Sequence, residues 1–404
     1  MKKILIIPIV LLCIDSISQE FNKQLSIQVS SLTDTLRGSV GEIERDVMGN
    51  LFVADFGEKV WKISPWGETE VFSKSMYGSS GNALDAQGNL YQAQYYGNTI
   101  VKINRYSGEV SEVVHEGLNG PVGLAFNQKD LYICNCNGNY IAKMGTDKQI
   151  VKVSTSKLYN CPNGITVGPQ GNLYVVNYRN PYVVKIDANG KDTLFAKLPA
   201  SSGGHIYYFQ GNFFITSFFD HKIFKISMDG KVTHLAGTGT AGIKNGDALE
   251  SEFSFPNGIV VSQNAIYVND KINDPKGGPQ KSMVRKLTYP NLTNLLSKSI
   301  QEKGIEKSKE LYLAYKKHTL YQNDNTEGVL NRLGYSLLNT QKLDAAIAIF
   351  KWNAESYPKS FNVWDSLGEA YLKSGDKENA KANYEQSLKL NPNNTNAENI
   401  LKTL

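Results

Sequence analysis

Five polar side chains stand at equivalent places of a recurring pattern, and their types could do chemistry. Asn163 and Asn257 sit in matching triplets, Pro162-Asn163-Gly164 and Pro256-Asn257-Gly258. An Asn side-chain oxygen there can orient a ligand. The same triplet also makes a plain tight turn, since Pro and Gly supply the φ values a turn needs. His205 occupies the place that Gly holds in the other five copies: Gly41, Gly81, Gly123, Gly164 and Gly258. An imidazole titrates near neutral pH, so His205 is an acid–base candidate, or else a hydrogen-bonded structural residue. Glu42 and Asn82 follow the Gly of their copies, where Leu124, Ile165, Ile206 and Ile259 stand elsewhere. Polar residues in an otherwise apolar slot mark a wet side of whatever the copies enclose. Glu42 is the carboxylate at a comparable place, so any catalysis leans on it as well as on His205.

A second polar set closes one segment of each copy: Asp55, Gln94, Asn135, Asn177, Ser217 and Asp270. Asp and Asn at such ends cap the turn that follows, and that role is expected here. The chain has no Gly-x-Ser-x-Gly elbow, His-Glu-x-x-His pair or Cys-x-x-Cys pair, which removes the commonest hydrolase and zinc signatures.

The elements that must position these residues are short strands recurring roughly every forty residues over 38–289, a period typical of propeller and solenoid folds. Leu51-Phe52-Val53-Ala54, Leu90-Tyr91-Gln92-Ala93 and Leu173-Tyr174-Val175-Val176 are copies of one strand. Gly-Asn pairs such as Gly49-Asn50 and Gly171-Asn172 precede them, as tight hairpins require. Third strands read Val60-Trp61-Lys62-Ile63 or Val183-Val184-Lys185-Ile186. Four short strands per copy make a propeller blade, and six copies are present. The sixth stops after its third strand. Residues 25–29, beside 284–287, are expected to supply the fourth and close the ring.

These copies resemble NHL repeats, with a Pro-x-Gly start, a strand ending in Ala-Asp and a strand reading hydrophobic-x-Lys-hydrophobic. The resemblance covers 38–289. The Gly-rich stretch 236–242, then Gly246-Asp247, strengthens it. The related gluconolactonase-like enzymes hold a divalent cation with a Glu, an Asn and an Asp at blade entries. That resemblance implies Asn163 and Glu42 as metal ligands, a cation such as Ca²⁺, and hydrolysis of sugar lactones. The chain departs from the pattern in two places. Glu42 stands two residues after the expected position near Val40, and Gly204-His205 replaces an Asp-Gly pair.

A different period follows. Leu330, Leu333, Gly334, Leu337, Ala346, Phe350 and Pro358 are matched 34 residues later by Trp364, Leu367, Gly368, Tyr371, Ala380, Tyr384 and Pro392. This resembles the tetratricopeptide repeat, in which small residues let paired helices approach and Pro ends the second helix. Two repeats with a capping helix are expected over 327–404, a linker with leading helices over 291–326, and burial of Trp364 and Leu367 between helices. The resemblance implies a protein or peptide partner.

The 404 residues carry a formal net charge of +5 with no long basic block, which argues against nucleic acid as a partner. Lys2 and Lys3, then an apolar run from Ile4 and Ser16-Ile17-Ser18, read as a signal peptide over 1–18, cleaved before Gln19. Residues 19–36 form a leader, and 37–290 the propeller. Export would place the protein outside the cell or in a periplasm. Lipid anchoring through Cys13 is the alternative. No later segment is apolar enough to span a membrane. Cys134, Cys136 and Cys161 are expected as buried free thiols, a Cys136–Cys161 bridge being the alternative. The expectation is thus an all-β six-bladed propeller followed by an all-α helical repeat module. In function it reads as a secreted binding scaffold. The propeller's channel mouth would take a small molecule, sugar or peptide through Asn82, Asn163 and Asn257. A metal-dependent lactonase is the alternative.

Overall fold

The computed structural model describes residues 24–33, 35–272, 278–318, 320–322 and 324–404. The signal segment and Cys13 lie outside them. Residues 26–289 form one compact unit, and residues 290–404 belong to the other.

The first unit is a six-bladed β-propeller. Five blades are four-stranded antiparallel sheets of consecutive strands, from Ile43–Arg45 in blade one to Val232–Ala236 in blade five. Apolar residues pack between neighbouring blades, so each sheet covers what the next exposes. The sixth blade is built from Ile259–Val261, Ala265–Ile272 and Lys281–Thr288. Its outer strand is Gln28–Ser31, with Val29 opposite Leu287 and Ser31 opposite Arg285. Gly246–Asp247 pairs on the far side of that strand. The ring is therefore closed by a strand from the beginning of the chain.

The innermost strands come so close together that side chains are excluded where they meet. A Cβ on Gly164 would fall 2.6 Å from the Cα of His205, and one on Gly258 would fall 2.6 Å from the Ile43 nitrogen. This is why five of the six copies carry Gly there, a residue chosen for close approach.

The second unit is helical. Leu292–Lys317 is two helices broken at Gly304, whose φ of 80° and ψ of 178° are not helical. Glu327–Asn339 pairs with Leu343–Ser356, and Phe361–Ser374 with Lys377–Leu390, followed by Thr395–Leu401. Gly334 and Gly368 stand where a Cβ would meet a ring of the paired helix, 2.5 Å from Phe350 and 3.1 Å from Tyr384. Leu367 is buried, but Trp364 is only half-buried, and its indole N–H donates to the Pro358 carbonyl. The apolar position that faces the partner helix is the preceding Val363, at 0% exposure. Among the described residues no helix is long and apolar enough to cross a membrane.

Candidate functional site

The five sequence-predicted side chains all lie around the propeller axis, and all are buried. They do not form one open site. His205 comes from the entry of blade five and Glu42 from that of blade one. Nδ1 of His205 lies 3.0 Å from Oε1 of Glu42. The contact is close but poorly aligned, and neither ring nitrogen completes a hydrogen bond to a protein atom. The other Glu42 oxygen accepts the Asn82 N–H of blade two at 3.1 Å. The pair bridges blades at the level of the glycine layer, and His205 has no exposure at all.

The three Asn side chains are engaged with neighbouring backbone. Asn163 Nδ2 donates to the Gly204 carbonyl at 2.8 Å, and Asn257 Nδ2 to the Val40 carbonyl at 3.0 Å. Asn82 Nδ2 donates to the Phe52 carbonyl. Each thus ties two blades, or two strands of neighbouring blades, across the ring. Asn163 and Asn257 are linked through blade five, because the His205 N–H donates to the Asn257 carbonyl.

The side-chain oxygens of Asn82 and Asn257 are buried without a protein partner, and Glu42 is the one carboxylate among the five residues. Glu42 has one oxygen against His205 and the other on the Asn82 amide, while Asn163 holds a carbonyl in place. Among the described residues no three His, Cys, Asp or Glu side chains converge as ligands.

On the exit side of the Glu42–His205 pair the channel widens into a cavity of about 240 Å³. Glu44, Phe126, Thr166, Tyr207 and Tyr208 line its far end. Burial pushes the Glu44 carboxyl up to about 8; the Arg45 N–H opposes this and nearby Glu42 adds to it. Burial also raises the Tyr207 hydroxyl, with Glu44 contributing. A carboxyl raised in the fold favours folding below its unfolded value near 4.5, and that contribution is lost as pH rises through about 8. Replacing Glu44 by Gln should therefore gain stability at pH 9 relative to pH 5. The gain is about 1–2 kcal/mol once solvent screening of a half-buried group is allowed for. Urea titrations at the two pH values check it; an equal effect at both would refute the shift.

The polar residues that close the second strands do more than cap their own turns. Asp55 does cap, accepting the Gly57 and Lys59 amides. The others reach back to the loop entering their blade. Asn135 accepts the Asn119 N–H, Asn177 the Asn160 N–H, Gln94 the Tyr77 N–H and Asp270 the Ser254 N–H. Ser217 donates to the Ser202 carbonyl. The expectation of purely local capping is corrected: these groups lock each entry loop to its blade.

The residue after each of these locks was not singled out from the sequence, and it forms a second feature of the same face. In blade order it is Phe56, Tyr95, Cys136, Tyr178, Phe218 and Lys271. Phe56 and Tyr95 rings lie 5.7 Å apart, and Tyr178 and Phe218 rings 5.3 Å apart. Phe218 meets Phe255 at 5.2 Å, and the Lys271 ammonium sits 5.6 Å from the Phe255 ring. Tyr95 and Tyr178 both pack on the cluster containing Cys136 and Cys161. Those two cysteines form a disulfide, which corrects the expectation of free thiols for them; among the described residues Cys134 is the free cysteine, and it is buried. Tyr77, Tyr96 and Phe219 extend the rim outward at 64%, 54% and 49% exposure. Phe56 and Phe255 have φ of 51° and 54°. A bulky residue in the left-handed region is strained, and surrounding structure must hold it there. The blade-entry face therefore carries a nearly continuous aromatic rim, fixed by locked loops.

A tetratricopeptide repeat family model matches residues 361–394. No curated protein sequence matches the chain. A protein of unknown function from Bacteroides thetaiotaomicron aligns with a TM-score of 0.56 at 15% identity, over 65% of this chain and 76% of its own. An auxiliary nutrient binding protein from Bacteroides ovatus gives 0.55 at 12%, over 65% and 77%. A gluconolactonase from Xanthomonas campestris gives 0.53 at 15%, over 67% and 93%. At such identities the likeness is one of fold. The chain is a six-bladed β-propeller of the fold shared by gluconolactonase-like proteins, joined to a helical module that contains a tetratricopeptide repeat.

Proposed function

We propose that this protein is an exported binding scaffold. The blade-entry face of the propeller takes a small ligand on its aromatic rim, and the helical repeats engage a protein partner. The rim carries this reading: four blades contribute a ring at one register position, and three further rings lie half-exposed or more beside them. Recognition sites combine such apolar lining with a few convergent polar groups. The lactonase reading has weaker support, because its acid–base pair is His205 at 0% and Glu42 at 6% exposure. Export through residues 1–18 belongs to the same proposal, and the Cys136–Cys161 disulfide supports an oxidising compartment. Mature protein beginning at Gln19 would bear that out.

The experiment is a thermal-shift screen of small molecules on the full chain and on Tyr96→Ala and Phe219→Ala. A ligand that raises the melting temperature of the wild type, and of neither variant, supports the reading. Turnover of glucono-δ-lactone by the wild type, abolished in His205→Ala while the melt is kept, would replace it with the hydrolase.

A further inference from the structure

We infer that the ligand of the blade-entry rim is a neutral carbohydrate, bound by stacking pyranose faces on its rings. This rests on the reading of that rim as a ligand site, and it names the chemical class. Three observations carry it.

The first is composition. Between the rings stand exposed amides: Asn119, Asn137 and Asn160 lie on the loops of blades two to four. The Tyr95 hydroxyl already donates to the Asn137 side-chain oxygen at 2.9 Å, so ring and amide act as one unit. Amides and phenols offer both donors and acceptors, which matches hydroxyl groups that do the same.

The second is charge. Of the described charged groups at the rim, Arg179 is exposed next to Tyr178, Asp220 is engaged by Ser201 and Ser217, and Lys271 lies against Phe255. His221 accepts the Phe255 N–H at 3.1 Å, and burial holds its imidazole below the usual value. Among the described residues no acidic pair is aimed at the ring of aromatics, as an aromatic cage for a quaternary ammonium would want. Among the described residues Arg179 stands without a second exposed cation next to it in sequence, so they form no basic cluster for a phosphorylated or acidic ligand.

The third is rigidity. Sugars are recognised by flat faces presented at fixed positions, and such binding is weak unless ordering costs are already met. Here the rings sit on loops held by Asn135, Asn177 and Gln94, and two of them are held at positive φ. The Cys136–Cys161 disulfide pins the loops of blades three and four between Tyr95 and Tyr178.

The test is calorimetric titration of the full chain with neutral gluco-, galacto-, manno- and xylo-oligosaccharides. Tetramethylammonium and an apolar hexapeptide serve as the competing classes. Binding of an oligosaccharide, weakened about tenfold or more in Tyr96→Ala and in Phe219→Ala with unchanged melting temperatures, is the expected result. Both rings are exposed, so these variants should fold. Rim-dependent binding of tetramethylammonium or the peptide alone would overturn the carbohydrate assignment and leave the rim as a ligand site. Oligosaccharide binding that both variants retain in full would overturn the assignment to this rim. No binding by any of the three classes would overturn the inference, and the small-molecule screen would then decide whether the rim is a site at all.

Discussion

Deleting residues 26–33 is expected to lower the melting temperature of the propeller by roughly 10–20 °C. The segment contributes Ile27 and Val29, at 1% and 3% exposure. Burial of side chains of this size is worth about 1.5–3 kcal/mol each. The Ile27 carbonyl accepts the Ala248 N–H, the Leu32 N–H donates to the Val284 carbonyl, and Thr33 Oγ1 accepts the Val284 N–H. Removing the strand exposes Lys281–Thr288 along one edge and frees Gly246–Asp247, which it pairs on the other side. An exposed edge invites pairing with another chain, so aggregation on heating should accompany the lower transition. Ile27→Ala is a milder version, worth about 2–5 kcal/mol. Near-ultraviolet circular dichroism follows the aromatic residues packed between blades. A transition that stays in place after the deletion would show that the closing strand adds nothing to the ring.

Much of this architecture was legible because it repeats. Gly-Asn turns and strands of the form hydrophobic-x-Lys-hydrophobic recur at one spacing, and so do the paired small residues of the helical module. What repeats can be aligned with itself, and alignment exposes the places where one copy differs. His205 was found that way, in the slot where its counterparts are Gly. Its partner was not obvious, since the Glu42–His205 contact joins blades one and five and no spacing encodes it. Whether a polar residue caps its own turn or an upstream loop is likewise a matter of how loops fold back, and Asn135 and Asn177 chose the latter. The aromatic rim had a positional signal, one residue after each lock. It mixes Phe, Tyr, Cys and Lys, however, so it has no motif of its own. Trp364 misled for a related reason. Repeat register placed it at the helix interface, but a large amphipathic ring can satisfy its N–H at the edge, and Val363 took the interior.

The second large effect is expected at Arg285, in the strand Lys281–Thr288. Its guanidinium is fully buried, an unusual position for a charged side chain. It donates to Asp270 at 2.9 Å, to the Glu252 and Lys244 carbonyls, and to the Asn245 side chain, and it lies over the Phe253 ring. Four of these five partners belong to the insertion that precedes blade six. The guanidinium is therefore what fastens that long segment to the blade. Arg285→Met keeps much of the volume but strands the Asp270 carboxylate, and breaking one side of a buried pair costs about 3–5 kcal/mol. The pH dependence has a definite sign. Burial pushes the Asp270 carboxyl up, while Arg285 and the Ser254 amide pull it down. Without Arg285 the folded state prefers the protonated acid still more strongly. The loss should then be smaller at pH 5 than at pH 8, since protonation removes the stranded charge. Adding Asp270→Asn to Arg285→Met should recover part of the loss at pH 8 and little at pH 5. Limited proteolysis should cut residues 237–253 in the variant before any other part of the propeller. Urea unfolding of the two variants at both pH values is the measurement. A loss that is the same at pH 5 and pH 8, with no recovery in the double variant, would mean that Asp270 is not the group Arg285 neutralises.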